Sequence, residues 1–132
     1  MAHILVVDDD ESFRIYLVTL LRQAGHTVLE ADNGQTGLEL CAASPVELII
    51  TDIFMPKMDG IDLLAAVRTE RPQVKVIAIS GGYKAMNSRL TLEMATSFGA
   101  MDIITKPFQA GTVLQKVTRA LESTDAEPTK DK

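Results

Sequence analysis

Five short apolar runs, separated by longer stretches with helical spacing, constrain the fold of this chain more than any other feature of its sequence. Several of these runs are apolar throughout instead of alternating with polar residues, which is typical of parallel strands covered on both faces. Five successive strand–helix units predict an α/β fold with a central parallel sheet and helices on both faces. The predicted strands are Ile4–Val7, Val28–Ala31, Leu48–Thr51, Val74–Ile79 and Ile103–Thr105.

The stretches between the predicted strands carry apolar residues on one helical face. In the first helix these residues fall at i, i+3, i+4, i+7 and i+8, and Gly25 ends the helix. This predicted core stripe consists of Phe13, Tyr16, Leu17, Leu20 and Leu21. The later helices are indicated by Gly34 at the start of the second, Asp59-Gly60 and Arg71-Pro72 at the two ends of the third, Leu90, Met94 and Phe98 in the fourth, and Val113, Leu114, Val117 and Leu121 in the last.

The size and composition of the chain predict one soluble domain. It has 132 residues, of which 46% are hydrophobic, and this is enough to bury a core. The net charge of −5 disfavours a nucleic-acid or anionic-membrane surface. The single cysteine, Cys41, excludes an intrachain disulfide and a multi-cysteine metal site. Neither a signal peptide nor a membrane-spanning run is evident, so we expect a cytoplasmic domain at 1–122 and a flexible polar tail at 123–132.

Polar residues follow four of the predicted strands, at the points where those strands end. They are Asp8, Asp9 and Asp10 after the first strand, Asp52 after the third, Ser80 after the fourth and Lys106 after the fifth. In an open parallel sheet these ends meet at one edge, where ligands bind. A helix-capping role would account for Asp10, but Asp52 is followed by Ile53-Phe54-Met55-Pro56 and not by a helix start.

Three carboxylates and one lysine at this edge predict a cation site. The carboxylates repel one another, and a single lysine leaves two of the negative charges uncompensated. A bound Mg²⁺ ion would neutralise the group, and hard oxygen ligands are those that Mg²⁺ prefers. Such a neutralised site can accept a phosphoryl group, and a carboxylate can act as the nucleophile toward phosphorus.

Four segments in this order resemble the receiver domain of two-component response regulators. They are Val6-Val7-Asp8-Asp9-Asp10, Asp52-Ile53-Phe54-Met55-Pro56-Lys57-Met58-Asp59-Gly60, Ser80-Gly81 and Lys106-Pro107-Phe108. The resemblance covers about Ala2 to Leu121, nearly the whole chain. It implies a doubly wound, flavodoxin-like sheet in the order 2-1-3-4-5 with five helices, which is the arrangement of chemotaxis receivers.

The resemblance also implies a phosphoacceptor and a metal site. Asp52 would accept a phosphoryl group from the phosphohistidine of a sensor histidine kinase or a histidine phosphotransfer protein. Asp9 and Asp52 would bind Mg²⁺ directly, together with the backbone carbonyl of Phe54, and Asp8 would contribute through a water molecule. Mn²⁺ is the expected substitute for Mg²⁺.

Further roles implied by the resemblance concern the fourth and fifth strands. Ser80 would be the switch hydroxyl that turns toward the phosphoryl group, and Gly81 would keep the entrance open for the phosphodonor. Lys106 would pair with the phosphoryl group, and its bond to Pro107 is expected to be cis.

The chain departs from the family at Ile103, where receivers often have an aromatic residue that moves with the switch hydroxyl. We therefore expect the segment from Gly81 to Asn87 to carry the response.

The first helix offers a candidate docking surface. Ile15 and Val18 are predicted to lie opposite the core stripe, close to Arg14. Isolated exposed apolar residues are common, so these two residues are either that or a surface for the phosphodonor, which receivers commonly bind beside the phosphorylation site.

The leading functional hypothesis is a stand-alone phosphorylation-controlled switch, a regulatory protein rather than an enzyme, that signals by docking to another protein. It would not bind nucleic acid or a membrane, and it would be a monomer or a phosphorylation-dependent dimer. One alternative is a receiver fragment of a larger regulator with a DNA-binding output domain. Another is a Mg²⁺-dependent phosphohydrolase with Asp8 as nucleophile and Asp10 as acid/base, which leaves Asp52 without a role. A flavodoxin-like FMN site is disfavoured because the acidic run after the first strand would repel the FMN phosphate.

Overall fold

The computed structural model describes residues 2–53, 60–81, 97, 99–106 and 108–122. Five parallel strands form one sheet in the order β2-β1-β3-β4-β5, which confirms the predicted topology. Each strand lies within two residues of its predicted bounds. The strands are β1 (His3–Val7), β2 (Thr27–Ala31), β3 (Leu48–Asp52), β4 (Lys75–Gly81) and β5 (Asp102–Lys106).

Four helices in the described part of the chain confirm the first, second, third and last predicted helices. They are α1 (Glu11–Gln23), α2 (Gly34–Ala43), α3 (Gly60–Glu70) and α4 (Ala110–Glu122). The helix predicted around Leu90, Met94 and Phe98 and the tail at 123–132 lie outside the described residues. None of the described helices combines the length and the apolar character that crossing a membrane requires.

The core consists of two apolar layers, one on each face of the sheet. Alternate residues of a strand point to opposite faces, so Leu5 and Val7 pack in one layer while Ile4 and Val6 pack in the other. The first layer includes residues of α2 and α3, and the second includes residues of α1 and α4. The expected arrangement of helices on both faces is therefore confirmed.

Helix α1 faces the sheet with a different stripe from the predicted one. The prediction that Val18 lies opposite the core is wrong, because its side chain is 3% exposed and packs with Leu17 and Leu21. Tyr16, predicted to be in the core, is 46% exposed, and Ile15 is 52% exposed. Because apolar residues surround much of this helix, its periodicity alone did not define the rotation that the sheet imposes. Val18 is thus a core residue and not part of a docking surface.

Candidate functional site

The carboxyl ends of the central strands meet at one edge of the sheet. Asp8 and Asp9 directly follow β1, Asp52 is the last residue of β3, and Lys106 is the last residue of β5. Strands β1 and β3 are neighbours, with Val7 aligned to Thr51. Because the chain order reverses between β1 and β3, this edge has the topological switch point at which open α/β sheets bind ligands.

Three aspartates form an acidic cluster at this edge. Asp8, Asp9 and Asp52 each offer one carboxylate oxygen, and these oxygens lie within 4.8 Å of one another. Asp8 is 1% exposed and Asp52 is 7% exposed, so two of the three carboxylates are removed from bulk water. Oxygen ligands at this separation could hold a hard divalent cation.

Lys106 joins two of the carboxylates. Its ammonium nitrogen Nζ lies 3.1 Å from Oδ2 of Asp8 and 3.2 Å from Oδ2 of Asp52. The side chain of Lys106 is only 7% exposed, so both ion pairs are shielded from solvent. Three carboxylates with one ammonium leave a formal charge of −2, which a divalent cation would balance.

Burial and the neighbouring charges shift the pKa values of Asp8 and Lys106. Burial raises the pKa of Asp8 to about 6, although the Asp10 amide lowers it, and the charge of Asp52 raises it further. Burial by itself would lower the pKa of Lys106, but the charges of Asp52 and Asp8 outweigh that effect and raise it. Lys106 therefore remains a cation, while Asp8 holds its negative charge less readily than an aspartate in water.

Backbone contacts hold Asp8 in place. Its amide donates to the carbonyl of Ala31 over 3.1 Å, and its Oδ1 accepts from the amide of Asp10 over 2.9 Å. Arg14 donates through Nη1 to the carbonyl oxygen of Asp8 over 2.9 Å and through Nε to Oε1 of Glu30 over 3.0 Å. Arg14 was predicted only as a docking residue, so its contact with the acidic site is one that the sequence did not predict.

An aromatic side chain completes the surroundings of Lys106. The ammonium of Lys106 lies over the ring of Phe13, 4.4 Å from its centroid. Phe13 was predicted to be a core residue and was not recognised at the site. The available indication was its position in the first turn of α1, three residues after Asp10, whose side chain caps that helix by accepting from the Phe13 amide.

The structure describes only some of the remaining predicted site residues. Ser80 and Gly81 lie in β4, where their backbones align with Thr105 and Lys106, so both reach the same edge of the sheet. Ile103 aligns with Ala78 and is partly buried against the layer that includes α2 and α3. Phe54, Pro107 and most of the segment from Gly81 to Asn87 lie outside the described residues.

Comparison with known proteins identifies the family. The family model for the response regulator receiver domain matches residues 4–118. The chain belongs to the response regulator receiver family. Membership agrees with the phosphorylation-dependent signalling expected from the sequence.

Receivers of several kinds are similar to this chain. The chemotaxis protein CheY of Bacillus subtilis is 37% identical over 92% of this chain and 99% of its own length. The DNA-binding transcriptional regulator NtrC of Azospirillum brasilense is 36% identical over 92% of this chain, which spans only 24% of that protein. The crystal structure of the receiver domain of NtrX from Brucella abortus superposes with a TM-score of 0.84 at 31% identity, covering 91% of this chain and 98% of that one.

Proposed function

We propose that this receiver is switched by a phosphoryl group carried on Asp52. The observation that carries this proposal is the position of Lys106, whose ammonium bridges Asp8 and Asp52 at the switch point of the sheet. A cation held beside a carboxylate nucleophile can stabilise the charge of an incoming phosphoryl group. The proposed donor is the phosphohistidine of a sensor histidine kinase or a histidine phosphotransfer protein.

Asp52 is the better nucleophile of the two buried aspartates. The side chain of Asp8 is nearly inaccessible, at 1% exposure. Asp52 is somewhat more exposed, and it lies at the end of β3 between the strands that supply Asp8 and Lys106. This difference supports Asp52 over the alternative phosphohydrolase mechanism in which Asp8 attacks phosphorus.

The acidic cluster suits Mg²⁺, with Mn²⁺ as a substitute. We propose that Asp9 and Asp52 bind the ion directly, that Asp8 contributes through water, and that the backbone carbonyl of Phe54, which lies outside the described residues, is a further ligand. The donor set fits, because it consists of carboxylate oxygens and carries two uncompensated negative charges. When bound, the ion would supply charge neutralisation at the phosphorylation site.

The transfer itself requires few groups of the protein. A carboxylate oxygen of Asp52 attacks phosphorus, the phosphorus–nitrogen bond of the phosphohistidine breaks, and an acyl phosphate forms on Asp52. The imidazole leaves with the electron pair of the broken bond. Lys106 offsets the charge of the phosphoryl oxygens throughout, and Ser80, placed by its strand at the same edge, follows the phosphoryl group afterwards.

The output of the switch is proposed to be the docking of another protein. The match to Bacillus subtilis CheY along nearly its whole length supports a stand-alone receiver. The match to NtrC supports the alternative, a receiver that belongs to a longer regulator with a DNA-binding output. A monomer, or a dimer formed on phosphorylation, is compatible with either arrangement.

Intact mass spectrometry after incubation with acetyl phosphate and Mg²⁺ tests the proposal. The wild-type mass should rise by one phosphoryl group, and Asp52→Asn should show no increase. Asp62→Asn is the matched control, because it neutralises an exposed aspartate on α3 that is not a member of the acidic cluster. Labelling that persists in Asp52→Asn and disappears in Asp8→Asn would overturn the proposal in favour of the phosphohydrolase.

A further inference from the structure

The ammonium of Lys106 has a third neighbour besides its two carboxylates. It lies 4.4 Å from the centroid of the Phe13 ring, while Asp8 and Asp52 are 3.1 and 3.2 Å away. The face of an aromatic ring attracts a cation, and the attraction strengthens when solvent is excluded. Because the Lys106 side chain is 7% exposed, this contact is largely shielded from water.

Two further aromatic rings support Phe13. Its ring packs against Phe108 with a centroid distance of 5.6 Å and an interplanar angle of 54°. Phe108 in turn stacks on Tyr16 at 5.6 Å and 19°. The amide of Phe13 is fixed as well, because it donates to the capping carboxylate of Asp10 over 3.2 Å. Phe13 is thus held both through its backbone amide and through the packing of its ring on Phe108.

The burial of Phe13 does not account for its position. Its side chain is half-buried, and within the described part of the chain the two core layers include Phe108 as a partly buried neighbour but not Phe13. A residue that served only to fill the core would be expected in one of those layers. The contact of its face with Lys106 is the interaction that distinguishes it.

We propose that Phe13 is a positioning residue for phosphoryl transfer to Asp52. Its ring face holds the flexible side chain of Lys106 so that the ammonium points at the place where Asp8 and Asp52 meet. The inference rests on the proposed function of Asp52, and it adds a residue that acts through Lys106 without touching the reacting atoms. Holding the ammonium in place before the phosphodonor arrives removes a reorganisation step from the transfer.

Phe13→Leu should slow labelling by acetyl phosphate by about tenfold, since it keeps apolar volume but removes the ring face. Phe13→Tyr and Phe13→Trp keep a ring face and should label close to the wild-type rate. Ile15→Ala is the matched control, because it shortens an exposed apolar side chain of the same helix that is not part of the aromatic cluster, and it should label at the wild-type rate. Equal losses in Phe13→Leu and Phe13→Tyr would overturn the inference.

A double-mutant cycle distinguishes positioning from a structural role. If Phe13 acts through the lysine ammonium, Phe13→Leu should have no further effect on labelling in a Lys106→Met background. A tenfold loss that persists in that background would overturn the inference. The affinity for Mg²⁺, measured separately, should be the same in wild type and Phe13→Leu, because the carboxylates bind the ion.

A spectroscopic measurement tests the contact independently of phosphorylation. In wild-type protein, ring currents from Phe13 should shift the NMR signals of the Lys106 ε-methylene protons upfield, and the shift should persist in Phe13→Tyr. Its absence in the wild type would overturn the inference even if Phe13→Leu failed to fold. Failure of the proposed function is recognised separately, by labelling that persists in Asp52→Asn.

Discussion

The ammonium of Lys106 lies 3.2 Å from a carboxylate oxygen of Asp52, although the two residues are 54 positions apart in the sequence. The sheet produces this contact, because parallel strands β3 and β5 end at the same edge on either side of β4. The ion pair therefore depends on the topology rather than on any local motif. The same ammonium lies over the ring of Phe13, so Lys106 contacts both Asp52 and the first turn of α1.

Lys106→Ala should separate metal binding from the response to phosphorylation. The carboxylates that would hold Mg²⁺ remain, and removal of a neighbouring positive charge makes the cluster more attractive to a cation. We therefore expect Mg²⁺ affinity at least equal to wild type but weakened beryllofluoride-induced chemical-shift changes. The control is Lys116→Ala, which removes an ammonium paired with Asp102 instead. A normal beryllofluoride response in Lys106→Ala would contradict the role given to the lysine.

The raised pKa of Asp8 predicts how the stability of the metal-free protein depends on pH. Its pKa is about 6 in the folded state and 3.8 as the reference value, so the folded protein binds the proton more tightly than the unfolded chain. The charged form of Asp8 thus costs stability, and the cost appears as pH rises from about 4 to 6.

Urea unfolding of wild type and Asp8→Asn measures this cost. The stability advantage of Asp8→Asn should grow by about 2 kcal/mol between pH 4.5 and pH 7.5 in the absence of divalent cations. Glu70→Gln, which removes an exposed carboxylate at the end of α3, should show no such growth. Addition of Mg²⁺ at pH 7.5 should narrow the gap, and an advantage that is independent of pH would contradict the assignment.

Val18 and Ile15, three positions apart on α1, should differ in how much their substitution changes the stability of the protein. Val18→Ala removes buried methyl groups and should cost about 1–3 kcal/mol of stability. Ile15→Ala alters an exposed side chain and should leave stability within about 0.5 kcal/mol. If α1 docks the phosphodonor, Ile15→Ala should slow transfer from a phosphorylated histidine kinase while leaving labelling by acetyl phosphate unchanged. If Ile15→Ala were phosphorylated as fast as wild type by the kinase as well as by acetyl phosphate, Ile15 would not belong to the docking surface.

The sequence predicted the parts of this structure that depend on strand order and strand ends. Uninterrupted apolar runs predicted the strand bounds to within two residues. Because parallel strands end at the same edge of a sheet, the sequence also predicted that Asp8, Asp52 and Lys106 lie close together. Which face of α1 meets the sheet was not predictable in the same way, since apolar residues lie around most of the helix. The site roles of Phe13 and Arg14 depend on that rotation, which the packing of the whole layer decides.

Arg14 contacts both the acidic site and β2. Its guanidinium holds the carbonyl oxygen of Asp8 and pairs with Glu30, and its side chain is 15% exposed. Arg14→Ala should free the backbone of Asp8, lower Mg²⁺ affinity several-fold and slow labelling by acetyl phosphate, in contrast to Ile15→Ala. Glu30→Gln is the matched variant, since it weakens the exposed ion pair but keeps the bond to Asp8, and we expect a change in stability below about 1 kcal/mol and normal labelling. Calorimetric titration with Mg²⁺ and the acetyl phosphate assay measure both effects. If Arg14→Ala impaired only transfer from a kinase, Arg14 would be a docking residue alone, and its contact with Asp8 would have no part in forming the metal site.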